Sequence, residues 1–230
     1  MAWHAQPSGG YYNGTGAVTN QDAIDNIQMI WNYLQSNGFT QEAAAGIMGN
    51  MTAESGLNPW RWQNDTYSLS NGYGLVQYTP ASGYINLTGI PDHAPNLSTS
   101  IQTAGSSPSD GNGQLYVFVN DTLGKWVNTC WRSYWNPSTY PTLYTQHTHI
   151  LNAYGSGTSL SIAQFATITD LSDATFAFLA CFEGPSIPNY SSRLTAAQHV
   201  LDVIQGGGGG HLPAWLLGHV SDQNRLRISR

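Results

Sequence analysis

The strongest constraint on how this chain can fold is residues 43–59, Ala-Ala-Ala-Gly-Ile-Met-Gly-Asn-Met-Thr-Ala-Glu-Ser-Gly-Leu-Asn-Pro. It delivers one carboxylate, Glu54, at the end of an otherwise apolar helix and directly before a Gly/Asn/Pro turn. Thr40 is placed to cap this helix, and Glu42 falls in its positively polarised first turn. Ala43, Ile47 and Asn50 recur at helical spacing, and Glu54 falls seven positions beyond Ile47, about two turns further along the same face. Glu54 is therefore expected to point inward. Burial in apolar surroundings disfavours the charged form and raises a carboxyl pKa, which suits protonation of the leaving oxygen in glycosidic bond cleavage. Structural carboxylates show the same perturbation, so this segment alone also admits a helix-ending Glu held in a hydrogen-bond network.

The surrounding pattern is helical with long loops. Residues 1–19, rich in Gly, Tyr and Asn, read as an irregular lead-in that packs on the core. A first helix starts at Asn20 and runs to about Ser36, with Ile27, Ile30, Trp31 and Leu34 on one face and Gly38 as its stop. Residues 58–70 form a loop containing Trp60, Arg61, Trp62, Asn64 and Asp65, and residues 73–77 alternate weakly. Residues 89–113, rich in Pro, Ser and Gly, read as a surface loop long enough to gate a cleft. Leu123, Trp126, Val127, Cys130, Trp131 and Tyr134 predict a core helix over 114–135. Shorter helices are expected over 141–153 and 161–165, then one capped by Ser172 and reaching Phe182, and one from Ser191 to Gln205. Residues 206–210 are five consecutive glycines and read as a flexible hinge. Beyond it, residues 211–230 combine Leu212, Trp215 and Leu216 with Arg225, Arg227 and Arg230, the composition of a docking tail.

Composition narrows the function classes. Only 9% of the 230 residues are charged and 12% are aromatic, including 8 Trp and 13 Tyr. Such a surface suits sugars, whose rings stack on aromatic faces while their hydroxyls bond to amides. The net charge of −6 argues against a nucleic-acid binder, which carries a basic patch. No window reaches the ~20 apolar residues of a membrane span. The first ten residues lack the charged and apolar regions of a secretory signal, so none is expected. Cys130 and Cys181 fall in separate predicted helices, where buried thiols are favoured over a disulfide. His147 and His149 have no second ligand pair at zinc-site spacing, so neither metal nor cofactor is expected.

A second block, Tyr73-Gly-Leu-Val-Gln-Tyr-Thr-Pro80, follows the Glu54 helix, and a third, Ala177-Phe-Leu-Ala-Cys-Phe-Glu-Gly-Pro185 with Arg193, lies far downstream. Together these resemble the lysozyme superfamily, in outline the goose-type lysozymes and lytic transglycosylases, and most closely the phage tail lysozyme family. The departure is Gly184, where that family commonly has Arg. The resemblance covers roughly residues 20–205. It implies an α+β, mainly α, lysozyme-like fold with a small β-hairpin region lining the cleft, followed by the glycine hinge and tail. It also implies a virion-associated peptidoglycan hydrolase that cleaves the N-acetylmuramic acid–N-acetylglucosamine β-1,4 linkage, with Glu54 as general acid. The implied partners are glycan strands and, through residues 211–230, other phage tail proteins.

A hydrolase of this kind needs a second carboxylate. Asp65, eleven residues after Glu54, is the best candidate base, and an Asx turn holding the loop is its structural reading. Glu183 shares a helical face with Phe176 and Leu179 and is assigned a structural role near the site. Gln77 matches the family's second motif and is expected to bond substrate, while Tyr73, Tyr78, Ser55, Trp62 and Asn64 are candidates for the cleft wall. With no base in position, the sugar's own 6-hydroxyl attacks and a lytic transglycosylase results. The same motifs are also compatible with an endolysin and with a catalytically silent, sugar-binding tail protein.

Overall fold

The computed structural model describes residues 3–5, 20–95, 97, 110–128 and 136–206. Its centre is α2, Gln41–Ser55, as the sequence predicts. The Thr40 hydroxyl accepts the Ala43 amide at the N-terminus, and Gly56, at φ 63°, closes the C-terminus by donating its N–H to the Thr52 carbonyl. That left-handed cap favours glycine, which bears no Cβ to clash. Every residue from Ala43 to Met51 is buried, the signature of a helix enclosed on all sides. Small residues make the enclosure possible. A Cβ on Gly46 would lie 2.8 Å from the backbone at Ala174, and one on Gly49 would collide with the Arg193 carbonyl.

The enclosing elements are α1 (Asn20–Ser36), α8 (Leu171–Phe178) and α9 (Tyr190–Gln205). From α1, Ile27, Ile30, Trp31 and Leu34 enter the core as expected. Its Asn26 is fully buried and satisfied, accepting from the His4 amide at 2.8 Å and donating to the carbonyls of His4 and Leu57. Residues 3–5 of the lead-in are thereby tied to α2's exit, and Trp3 is buried beside them. Asp170, rather than Ser172, caps α8 by accepting the Asp173 amide. The helix passes into a π-turn, Leu179–Glu183, ended by Gly184 at φ 59°. Short π segments of this kind recur at functional sites.

The remaining helices are α3 (Ala81–Ile85), α4 (Asp110–Val119), α5 (Pro141–His147), α6 (Ile150–Ala153) and α7 (Ile162–Phe165). The expected core helix over 114–135 is a correction. It begins earlier, at Asp110, and stops at Val119. Asp121 adopts φ 46° and its carboxylate accepts the amides of Lys125 and Trp126, which turns the chain out of the helix. Trp126 is still buried, donating its indole N–H to the Leu160 carbonyl. Cys130, Trp131 and Tyr134 lie outside the described residues, whereas Cys181 is buried in the π-turn.

The region expected as a β-hairpin carries no extended strands among the described residues. It holds two isolated antiparallel bridges, Trp62 to Tyr73 and Tyr73 to Tyr78. At the far end of the fold, Gly206 closes α9 by donating to the Asp202 carbonyl. Residues 207–210 of the expected hinge and the whole tail, 211–230, fall outside the described residues. Among the described residues no helix is long and apolar enough to cross a membrane.

Candidate active site

Where α2 ends, a groove of about 510 Å³ opens between three walls. Glu54 stands at the helix terminus, Arg61, Gln63, Asn64, Gln77 and Tyr78 come from the bridge region, and Phe182 to Pro185 come from the π-turn. Lys125, from the turn after α4, completes the lining with Val76 and Thr79.

Glu54 is not enclosed by apolar side chains as the sequence pattern suggests. Its side chain is 22% exposed, and its Oε1 accepts a 2.6 Å bond from the Nη2 of Arg193. That guanidinium is itself buried and fully directed. Its Nη1 donates to Asn50 Oδ1 at 3.1 Å and its Nε to the Pro188 carbonyl at 3.0 Å. Asn50, one turn before Glu54, is fixed in its turn by donating to the carbonyls of Gly46 and Thr175. The carboxylate thus has one oxygen clamped and Oε2 without a hydrogen-bond partner among the described residues. In the sequence, Arg193 carries no signal beyond its match to the family motif.

The other candidate residues separate into two groups. Gln77 and Asn64 reach the groove, and Tyr78 lines it although its side chain is almost wholly buried. Burial pushes the Tyr78 hydroxyl well above its ordinary range, and it donates to the Gln114 carbonyl. Gln77 spends both amide hydrogens on backbone, donating to the carbonyls of Arg61 and Gly74 at 3.0 and 2.9 Å. Ser55, Trp62 and Tyr73 are corrections: all three are fully buried and none lines the groove. Ser55 bonds to the carbonyls of Met51 and Leu75, pinning the bridge region to α2. Trp62 packs between Tyr67 and Tyr73, at ring distances of 4.8 and 4.6 Å. Tyr67 is the exposed aromatic of that group, 42% accessible.

Asp65 stands beside the groove rather than in it. Its carboxylate lies 3.5 Å from Arg61 Nε, in the one-turn segment Gln63–Asp65 where Asn64 and Asp65 both take positive φ. Glu183 does line the groove, opposite the bridge region.

That bridge region is held by a polar knot which the sequence does not reveal. Asp110, fully buried at the start of α4, accepts from Tyr73 at 2.9 Å, Tyr84 at 2.8 Å, Gln114 at 2.7 Å and the Ala94 amide at 3.1 Å. Burial raises its carboxyl pKa despite those four donors. Gln114 accepts the Leu75 amide, and Gly74 is required there because a Cβ would strike that amide oxygen. A second concavity, of about 450 Å³, lies elsewhere. In it Asp173 accepts from His147 at 3.1 Å and His149 at 2.8 Å. Among the described residues no cluster of three or more potential ligands is arranged to hold a metal ion.

Comparison with known proteins agrees with this architecture. The sequence profile of a family described as phage tail lysozyme matches residues 25–204. The chain is similar to a protein named Morphogenesis protein 1 of Bacillus phage B103, with 43% identity over 204 residues. That alignment covers 86% of this chain but 44% of the relative, so the chain spans less than half the relative's length.

Proposed function

The chain belongs to the phage tail lysozyme family, and we propose that it is a virion-associated peptidoglycan hydrolase with Glu54 as general acid. The bond cleaved is the β-1,4 linkage between N-acetylmuramic acid and N-acetylglucosamine. The single observation that carries this reading is Glu54 itself. It ends the central helix of the fold, opens onto the groove, and has one oxygen clamped by a buried guanidinium while the other has no hydrogen-bond partner among the described residues. A side chain so held cannot rotate away from substrate, and Oε2 is the atom that delivers the proton to the leaving oxygen. Gln77 and Asn64 present the polar atoms that meet sugar hydroxyls. Glu183 forms the far wall as a structural residue. The relative's name, a phage morphogenesis protein, supports a place in the virion rather than an endolysin role. Other phage tail proteins, met through residues 211–230, are the proposed structural partners.

The fate of the glycosyl cation equivalent depends on the second carboxylate. Hydrolysis with Asp65 as base requires that it leave Arg61 and turn toward water in the groove. A second reading is favoured by its position outside the groove lining. In that reading no side chain activates water, the muramic 6-hydroxyl attacks instead, and Glu54 returns as base to give an anhydro product. Mass spectrometry of muropeptides from digested walls tests both. Reducing muramic ends support hydrolysis, anhydro ends support transglycosylation, and an intact polymer refutes the proposal as a whole.

A further inference from the structure

The segment that brings Asn64 to the groove is thinly tied along its length. From Gln63 to Ser70 no residue is buried. Its two ends are pinned. Gln63 donates its amide to the Gly72 carbonyl and accepts the Gly72 amide at its side chain, both at 2.9 Å, while the Leu69 carbonyl accepts the Ser82 amide at 3.0 Å. Between those anchors, the Asn71 side chain donates to the Thr66 carbonyl at 3.2 Å and Asp65 approaches Arg61 at 3.5 Å. Asn64 and Asp65 hold left-handed φ values of 56° and 51° in succession. Asn and Asp tolerate that region as single residues rather than as runs, so the turn carries a conformational cost that its contacts must offset.

Beneath the segment lies a buried donor without an acceptor. Trp62 is fully buried, and its Nε1 has no hydrogen-bond partner among the described residues. A buried N–H ordinarily finds one, because an unpaired donor keeps its whole desolvation cost. Tyr67 packs edge-on against this indole at 4.8 Å and is itself 42% accessible, so the cover on that side is one ring thick.

We propose that residues 64–68 are a lid on the groove, hinged at Gln63 and Leu69. One outward movement withdraws Asn64 from the groove wall, parts Asp65 from Arg61 and uncovers Trp62 beside the opening. The movement releases the left-handed turn and gives the indole N–H an acceptor, first water and then a sugar hydroxyl, with the ring as an apolar face for the sugar. It also meets the first condition for Asp65 to serve as base, which is to leave Arg61. This rests on the reading of the groove as a glycan-cleaving site and adds how access to it is controlled.

Exchange of the indole N–H groups with D2O reads the lid without any ligand. Trp60 is the internal control, since it is as buried as Trp62 and its Nε1 is equally unpartnered, yet Tyr67 packs on Trp62 alone of the two. Trp126, bonded to the Leu160 carbonyl, is a second control. In the full-length 15N-labelled protein, Trp62 is expected to exchange about tenfold or more faster than either control, at a rate insensitive to low urea, the mark of a local opening. Tyr67→Ala speeds Trp62 further and leaves Trp60 unchanged. Asp65→Asn keeps a residue that accepts the left-handed turn but weakens the tie to Arg61, and should speed Trp62 about two- to fivefold, the worth of a partly exposed ion pair. Exchange of Trp62 only through global unfolding, at the rate of Trp60, overturns the lid. Acceleration by Tyr67→Ala with none by Asp65→Asn overturns the single movement. When soluble glycan strands are added to the Glu54→Gln protein, the Trp62 indole signal should shift together with the Gln77 side-chain amide. A Gln77 response without one from Trp62 overturns the sugar-facing role of the indole. Silence from both refutes the glycan reading of the groove instead, and the exchange rates still decide the lid.

Discussion

Replacing Arg193 by Met should damage stability and turnover together, and the size of both effects follows from what the guanidinium touches. Its removal leaves the buried Asn50 Oδ1 without its 3.1 Å donor and the Pro188 carbonyl without its 3.0 Å donor. An orphaned buried acceptor costs about 1–3 kcal/mol. Glu54 also loses its counter-charge, and breaking a buried ion pair costs about 3–5 kcal/mol. The carboxylate is 22% exposed, so water compensates part of that cost and the lower ends of both ranges apply. A net loss of roughly 4 kcal/mol, the sum of those lower ends, corresponds, in a domain of this size, to a melting temperature lower by about 8–16 °C. Freed of its clamp, Glu54 samples other rotamers, and kcat should fall more than about tenfold with KM little changed, the pattern of lost transition-state positioning. Arg193→Lys is the informative comparison. It keeps the charge but not the fork that reaches Asn50 and Pro188 at once, so it should recover part of the activity and less of the stability. Melting followed by circular dichroism and a turbidity assay on walls are sufficient. A melting point within about 2 °C of wild type together with unchanged kcat would falsify the clamp.

Three further outcomes are expected. Glu54→Gln should abolish wall clearance, a loss of at least about 10²-fold, and melt below wild type, because the amide oxygen still accepts from Arg193 but the buried guanidinium loses its counter-charge; a variant that clears walls normally removes Glu54 from the mechanism. Gly49→Ala should cost about 1–3 kcal/mol in urea denaturation, since the new Cβ collides with the Arg193 carbonyl and Ala197; a neutral result means α9 can shift freely off α2. Burial alone would raise the Asp173 carboxyl, but hydrogen bonds and charge from His147 and His149 hold it below its ordinary range. A depressed folded-state pKa stabilises above the unfolded value, about 3.9, and that stability is lost as pH falls through the folded value. The stability gap between wild type and Asp173→Asn should therefore narrow below about pH 4, and a gap that stays constant down to about pH 2 contradicts the His–Asp–His contact.

How much of this is legible in the sequence depends on whether local signals agree. For α2 they do: Thr40 caps, the apolar run propagates, and Gly56 terminates in the one conformation that favours it. For 114–135 they conflict. Helical spacing of the aromatic and aliphatic residues points one way and Asn120, Asp121 and Gly124 the other, and Asp121's turn chemistry wins. At the site, sequence adjacency misleads. Ser55 follows Glu54 by about 100° around the helix, enough to turn it from the groove into the core. Trp62 and Tyr73 carry the composition of a sugar platform, but in a region without a strand ladder their rings supply the packing that a ladder would otherwise supplement. Arg61 and Lys125 have no periodicity to announce them. Their one signal is rarity, since a chain with 7 Lys and Arg places few of them without cause. Asp110 is hidden in a Ser/Gly-rich run that reads as loop.

The two sides of the groove are held by different physics. Glu54 rests on packing: α2 is gripped by α8 and α9 through Gly46 and Gly49, and the Asn50–Arg193 contacts transmit that rigidity to the carboxylate. Such a wall yields only when the core does. The opposite wall, with Gln77 and Arg61, has two isolated bridges and depends on the Asp110 knot for its position. A buried network of that sort is stiff while every member is satisfied and loosens as a unit when one is lost. Tyr73, Tyr84 and Gln114 all donate to the same carboxylate, so a single substitution at Asp110 releases the floor of the bridge region without touching α2. Glu54 is thereby fixed by the core, whereas Gln77 and Arg61 sit on a region held by the Asp110 knot and joined to α2 through the Ser55–Leu75 bond. Under the proposed function, a change at the knot should therefore be felt first at the bridge-region wall of the groove and less at Glu54.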